Sequence, residues 1–197
     1  MKEKKGIDQF YYFVFGICFF LFILAISGFI AFVNRKEKVI DMEEAGGKVV
    51  LNYTNNFPGL SLEKITPTTE IIAKKNLKEG EYFDFSVSTS LDNASMIEYE
   101  IALVKNTKKT TVKDSDIKVY LEYEKSGTYT SVLDSTSFSS IKKETDLGSP
   151  VGSMILYKKK KSKSEDDNYR LRIWLSETSL MESGNIEVEV QIYGHAK

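Results

Sequence analysis

"YFDFSV", residues 82 to 87, alternates without a break: Phe83, Phe85 and Val87 fall on one side of an extended chain, Tyr82, Asp84 and Ser86 on the other. Side chains of a β-strand point to opposite faces in turn, so this is the pattern of a strand with one face in a core and one in water. The same period recurs in Ile97, Tyr99, Ile101 and Leu103, in Ile117, Val119, Leu121 and Tyr123, in Tyr169, Leu171, Ile173 and Leu175, and in Ile186, Val188, Val190 and Ile192. One-sided alternation of this kind belongs to antiparallel sheets. Weaker strand signals over Lys48–Tyr53, Glu70–Lys74, Thr128–Leu133 and Ser153–Lys159 bring the expected number to about nine. Clusters of Gly, Asn, Asp and Ser separate them, and "EKSGTY", Glu124–Tyr129, reads as a hairpin turn with Gly127 at positive φ. Helical periodicity surfaces in this part of the chain only around Ser135–Lys142. The expected fold is mainly β: an antiparallel two-sheet β-sandwich of jelly-roll or immunoglobulin-like kind.

Ahead of the strands lies a stretch of another kind. Phe10 to Val33 holds no charged residue over 24 positions, and a helix of that length reaches about 36 Å, enough to cross a bilayer with some tilt. Phe, Ile, Leu and Val fall on every side of it, so it has no polar face to turn to water. The expectation is a single transmembrane helix over 10–33, with residues 1–9 as a cytoplasmic head, 34–47 as a short stalk punctuated by Gly46 and Gly47, and 48–197 as an extracellular domain. Lys2, Lys4 and Lys5 face Arg35, Lys36 and Lys38 across the run; a short head with a long strand-rich tail favours the head inside. A cleaved signal peptide is the alternative, since Ala25 and Ser27 form a small-x-small pattern that a signal peptidase could use. The apolar run continues through Phe29, Ile30, Phe32 and Val33, which is the habit of an uncut anchor. A type IV prepilin site is suggested by Lys4-Lys5-Gly6, but Tyr11 stands where that site has an acid.

Charge and cysteine content narrow the class. The chain has 27 basic and 28 acidic residues for a net charge of −1, so no basic face is expected that could compete for nucleic acid. Its one cysteine, Cys18, lies inside the apolar run, leaving the strand-rich part without an intramolecular disulfide, as suits exported proteins of many Gram-positive bacteria. His195 is the sole histidine and stands near the carboxyl end, where it reads as a surface residue rather than a base or ligand. Glu98 and Glu100 read as solubilising residues on the outer face of their strand. No nucleophile elbow, phosphate loop or paired metal-ligand motif is present, so no catalytic residue, metal or cofactor is expected. The biased stretch "KKKKSKSEDDN", 158–168, reads as a solvated hairpin tip; with Asp114 and Asp116 its acids do not make a calcium loop. Arg170, Arg172 and Trp174 share the polar face of one strand, and aromatic-plus-arginine is the composition of interaction hot spots, so they form the candidate interaction surface. The competing reading packs the indole beneath a loop.

"NLKEGEYFDFSVSTSLDNASMIEYEIAL", Asn76–Leu103, is similar to the arrangement in TasA/camelysin-type secreted fibre proteins, where a turn leads into a strand, a polar gap and a second strand ending Tyr-Glu-Ile. "DIKVYLEY", Asp116–Tyr123, and "YRLRIWLSE", Tyr169–Glu177, resemble uncharacterised single-anchor surface proteins of Gram-positive bacteria. The resemblance implies a jelly-roll sandwich that polymerises when a freed amino-terminal strand completes a neighbour's sheet, with Lys48–Tyr53 as the donor candidate. The long anchor departs from that pattern. The functional expectation is a membrane-anchored, surface-displayed protein acting in binding or cell-envelope assembly without catalysis. Its partners would be the lipid bilayer and either another protein or further copies meeting at sheet edges. The alternative is a signal-cleaved subunit of an extracellular biofilm-matrix fibre.

Overall fold

The computed structural model describes residues 13–23, 26, 36–42, 46–75, 78, 80–143 and 147–197. The chain divides into two units, Met1–Arg35 and Lys36–Lys197. In the first, an α-helix, α1, covers 13–23 with its side chains exposed. The expected span 10–33 lies partly outside the described residues, and among those described no helix is long and apolar enough to cross a membrane. Ala25 and Ser27 also lie outside them.

In the second unit, β2 (Gly47–Tyr53), β4 (Tyr82–Leu91), β9 (Glu165–Leu175), β6 (Ile117–Lys125) and β7 (Thr128–Ser137) form one antiparallel sheet, with β1 (Lys36–Met42) at its edge. The order is β1-β2-β4-β9-β6-β7. A second sheet, β3-β10-β5-β8, is built from β3 (Gly59–Ile65), β10 (Gly184–Ala196), β5 (Ile97–Lys105) and β8 (Met154–Lys161). Every alternating apolar series predicted from sequence faces inward: Phe83, Phe85, Val87, Tyr99, Ile101, Leu103, Ile117, Val119, Leu121, Tyr169, Leu171, Leu175, Val188 and Val190 join one buried cluster shared by both sheets. Phe83, Phe85 and Tyr169 stack in a row, with successive ring centroids 5.4 Å apart. Burial of such side chains contributes about 1.5–3 kcal/mol each, which is what holds two sheets together face to face. The β6–β7 hairpin turns through Ser126 and Gly127, both at positive φ (53° and 79°), so the expected glycine turn is a two-residue hairpin with Lys125 opposite Thr128.

Several stretches differ from expectation. Half of the stalk, 34–47, is the strand β1, whose seven residues pair with β2 from Lys36–Tyr53 to Met42–Gly47. The donor candidate Lys48–Tyr53 is therefore an interior strand, bonded to β1 on one side and β4 on the other. Glu70–Lys75 is a helix, α2, not a strand. Around Ser135–Lys142 only a 3-10 turn forms, Phe138–Ser140, after β7. The run 158–168 is mostly the ends of β8 and β9 rather than a tip. His195, next to last in β10 and opposite Glu98, has a side chain 41% exposed, a surface residue as expected.

All four sheet edges carry a device that discourages pairing with another chain. The β8 edge ends in four consecutive lysines. The β1 edge opens Lys-Glu-Lys. In β3, Lys64 takes φ 51° near the strand's end. In β7, two register shifts against β6 bulge the strand.

Candidate binding face

β9 places Arg170, Arg172 and Trp174 on the outer face of the six-stranded sheet, because Leu171, Ile173 and Leu175 between them turn into the core. Register then sets their neighbours. Arg170 lies between Asp84 and Glu122, Arg172 between Tyr82 and Tyr120, and Trp174 beside Lys118. Opposite charges and arginine–aromatic pairs directly across strands stabilise a sheet face.

Arg170 donates from Nε to Asp84 Oδ1 and from Nη2 to Oδ2, both at 2.7 Å. Its guanidinium lies 4.6 Å from the Tyr82 ring centre and 4.3 Å from that of Tyr129. Two rings and a carboxylate thus fix the fork, and the Asp84 hydrogen bond holds Arg170 above its ordinary value. Burial, then the Asp84 charge, pushes the Tyr129 phenol up. Arg172 is buried and donates from Nε to Glu122 Oε2 at 3.1 Å.

Trp174 is 6% exposed because α2 lies over it: Ala73, Tyr120 and Trp174 make a small apolar cluster of their own. The helix is short, and Lys74 fastens it twice, pairing with Glu70 at 2.6 Å and standing 4.2 Å over the Tyr120 ring. Their hydrogen bond lowers the Glu70 carboxyl and raises the Lys74 ammonium. The predicted trio is therefore brought onto one face, but two of its members are covered there. What stays partly exposed is Arg170, its side chain 16% exposed, with Tyr82, Asp84 and Tyr129 around it. These three partners were not singled out from sequence; their signal was strand register, which requires knowing that β4 pairs with β9 and β6 with β7.

Two clefts adjoin the face. One, of about 310 Å³, opens between β3 and α2 and includes Lys64, Ile65, Ile72, Arg172 and Trp174 in its lining. The other, of about 600 Å³, is lined by Thr54, Asn55, Asn56, Gly80, Tyr82 and Asp84. Amides, a hydroxyl, a phenol and a carboxylate around an open hollow suit a polar ligand or a polar protein surface.

Between the sheets sits a second polar arrangement. Asp167, 1% exposed, accepts from Tyr99 Oη at 2.8 Å, Lys159 Nζ at 2.8 Å, Lys161 Nζ at 3.1 Å and Tyr123 Oη at 3.1 Å. The Tyr99 and Tyr169 hydroxyls are 2.6 Å apart. Burial by itself raises the Asp167 carboxyl, yet the hydrogen bonds from Lys159, Tyr99 and Lys161 outweigh it and hold the group below the ordinary carboxylate value. Burial pushes the Tyr99 and Tyr169 phenols far above theirs, so both stay neutral donors. Lys161 also pairs with Glu165. The biased run 158–168 thus supplies an interior ion cluster, while Lys158 and Lys160 point outward to Glu100 and Glu98, each at 3.7 Å. Glu100, expected as a solubilising group, is fully buried.

Asp114 and Asp116 lie at the other end of the sandwich from 165–168, paired with Lys105 and with Ser115 and Ser179 respectively. Among the described residues no three potential ligands gather as a metal would require. Comparison with protein-family models and with curated protein sequences gives no match.

Proposed function

We propose that this is a membrane-anchored, surface-displayed protein. A single transmembrane helix would precede a jelly-roll or immunoglobulin-like sandwich that acts in binding or cell-envelope assembly, without catalysis. The carrying observation is the junction: a 24-residue uncharged run ends at Val33, and the folded sandwich begins three residues later, at Lys36. A stretch so apolar prefers lipid to water, and a domain starting that close to it is held at the membrane surface. Arg170, held between two tyrosines beside a polar cleft, is the part of the sandwich best suited to a protein or polar partner, because its geometry is fixed before binding. Intact mass of the native protein, with sedimentation after alkaline extraction, tests this. A mass starting at the initiator region in the membrane pellet supports it; a soluble product starting near Gly28 overturns it.

That second outcome belongs to a different reading, a processed subunit of an extracellular matrix fibre. It draws on one observation: β1 is an edge strand next to the amino-terminal stretch, so a strand supplied to a neighbour's sheet would be β1 rather than the interior β2. The guarded edges speak for the anchored reading.

A further inference from the structure

The larger of the two clefts, about 600 Å³, lies where β2 and β4 part. Tyr53 and Phe85 are the last pair of that ladder. Beyond them the chain after β2 bends through 55–58, while Tyr82 and Asp84 lie on the outer face at the start of β4, so Thr54, Asn55 and Asn56 confront Gly80, Tyr82 and Asp84 across an open hollow. All six belong to the unit Lys36–Lys197. Among the described residues, the Thr54 hydroxyl, the Asn55 amide and the Tyr82 hydroxyl make no side-chain hydrogen bond. Asn56 uses only its Oδ1, which accepts from Lys36 Nζ at 3.0 Å, and keeps both amide hydrogens.

The charges around this hollow are already matched. Asp84, the one carboxylate in the lining, gives both its oxygens to Arg170. Arg172 donates to Glu122, and Lys78 pairs with Glu81 at 2.7 Å. The exposed Glu37 of β1, opposite Asn52, is outside the lining. Among the described residues, a charged ligand would therefore have to break an existing pair, and an apolar ligand would find no aliphatic wall. What the lining offers is donors and acceptors side by side: an amide supplies a carbonyl oxygen and two hydrogens, and a hydroxyl both donates and accepts. Neighbouring hydroxyls on a sugar ring have the same double character. Tyr82, fixed by the Arg170 guanidinium 4.6 Å from its ring centre, adds an aromatic wall for the apolar face of such a ring.

Resting on the reading of the Arg170 face as the binding face, we infer that this cleft is a carbohydrate site for a short neutral oligosaccharide. The Asn55 and Asn56 amides bind adjacent ring hydroxyls, Thr54 and Tyr82 add their own, and Asp84 accepts through the lone pairs that the Arg170 fork leaves over. The cleft's volume falls within the about 300–1,000 Å³ of small-molecule sites, room for a few sugar units.

The test titrates the full chain, in a detergent without a sugar headgroup, with maltotetraose, cellotetraose and tetra-N-acetylchitotetraose, and with tetragalacturonate as the anionic comparison. Calorimetry reads binding, and amide-resonance shifts locate it. The expected result is that at least one neutral sugar binds and moves resonances within 54–56 and 80–84. Asn55→Ala should weaken it about tenfold, the loss of uncharged hydrogen bonds, and Ser131→Ala on β7 should leave it unchanged. Asn55 is exposed, so its substitution removes no core packing. Shifts at those residues with tetragalacturonate alone overturn the neutral class and leave the face as the binding face. Neutral sugar that binds elsewhere, indifferent to Asn55→Ala, overturns both. No binding by any of these sugars overturns the carbohydrate site and leaves the face to a protein partner.

Discussion

Tyr99 of the four-stranded sheet donates to Asp167 of the six-stranded sheet at 2.8 Å, in the middle of a sandwich whose other contents are almost wholly apolar. The bond joins the two sheets at one register, and the lysines from β8 close around the same carboxylate. Removing the carboxylate takes from the half-buried Lys159 and the buried Lys161 the counter-charge they share and leaves Lys161 with Glu165, whereas a satisfied cluster is close to neutral in energy.

The first prediction concerns acid. The folded-state pKa of Asp167 is depressed, so its ionised form stabilises the fold at pH above the unfolded value of about 3.9, and that contribution fades as pH falls below it. Asp167→Asn should lower stability at neutral pH by about 3 kcal/mol and flatten the loss of stability in acid. Urea melts across an acidic pH series measure both; an unchanged acid slope in the variant would exclude Asp167 as its source.

Arg170 and Asp84 should couple. A double-mutant cycle with Asp84→Ala and Arg170→Ala is expected to give an interaction of about 1 kcal/mol, modest because Asp84 is partly in water. Arg170→Lys keeps the charge but loses the fork and the stacking, so it should behave much like the alanine variant in thermal melts. Full rescue by lysine would reduce the pair to simple charge attraction.

Trp174→Ala removes the floor on which α2 sits. A loss of about 3 kcal/mol is expected, with faster proteolytic cleavage within 66–81 than elsewhere. Equal cleavage in the parent and the variant would mean that α2 is held by something other than the indole.

At Gly59, an added Cβ would lie 2.0 Å from the Val188 carbonyl oxygen of the neighbouring strand. Gly59→Ala should therefore push β3 away from β10, cost about 1–3 kcal/mol, and speed amide exchange along β3 more than along β8. Uniform exchange across the sheet would contradict it.

The sandwich was readable because its inward positions alternate with polar ones, and a period of two survives in sequence without knowledge of partners. The signal failed where both parities carry the same kind of residue. In Lys158 to Lys161 the inward-facing Lys159 and Lys161 cannot be told from the outward-facing Lys158 and Lys160, so a buried ion cluster read as a wet turn. Ile71 and Ile72 suggested a strand, since β-branched residues favour one; six residues are too few to show a helical period, and the choice was made by Ala73 meeting Tyr120 and Trp174. β1 was hidden by its charges, which suit an edge strand and a stalk equally. Arg170, Arg172 and Trp174 were placed on the correct face, but which of them stays open depends on a helix roughly a hundred residues away, and no local pattern carries that.

The β1 ladder also decides how the domain bears tension. Its seven residues pair in unbroken register with β2, and the bonds run crosswise to the strands. A pull on the chain ahead of Lys36, directed along β1, loads all of those rungs in shear at once instead of peeling them one by one. A domain pulled by its leading strand in this way resists abrupt force.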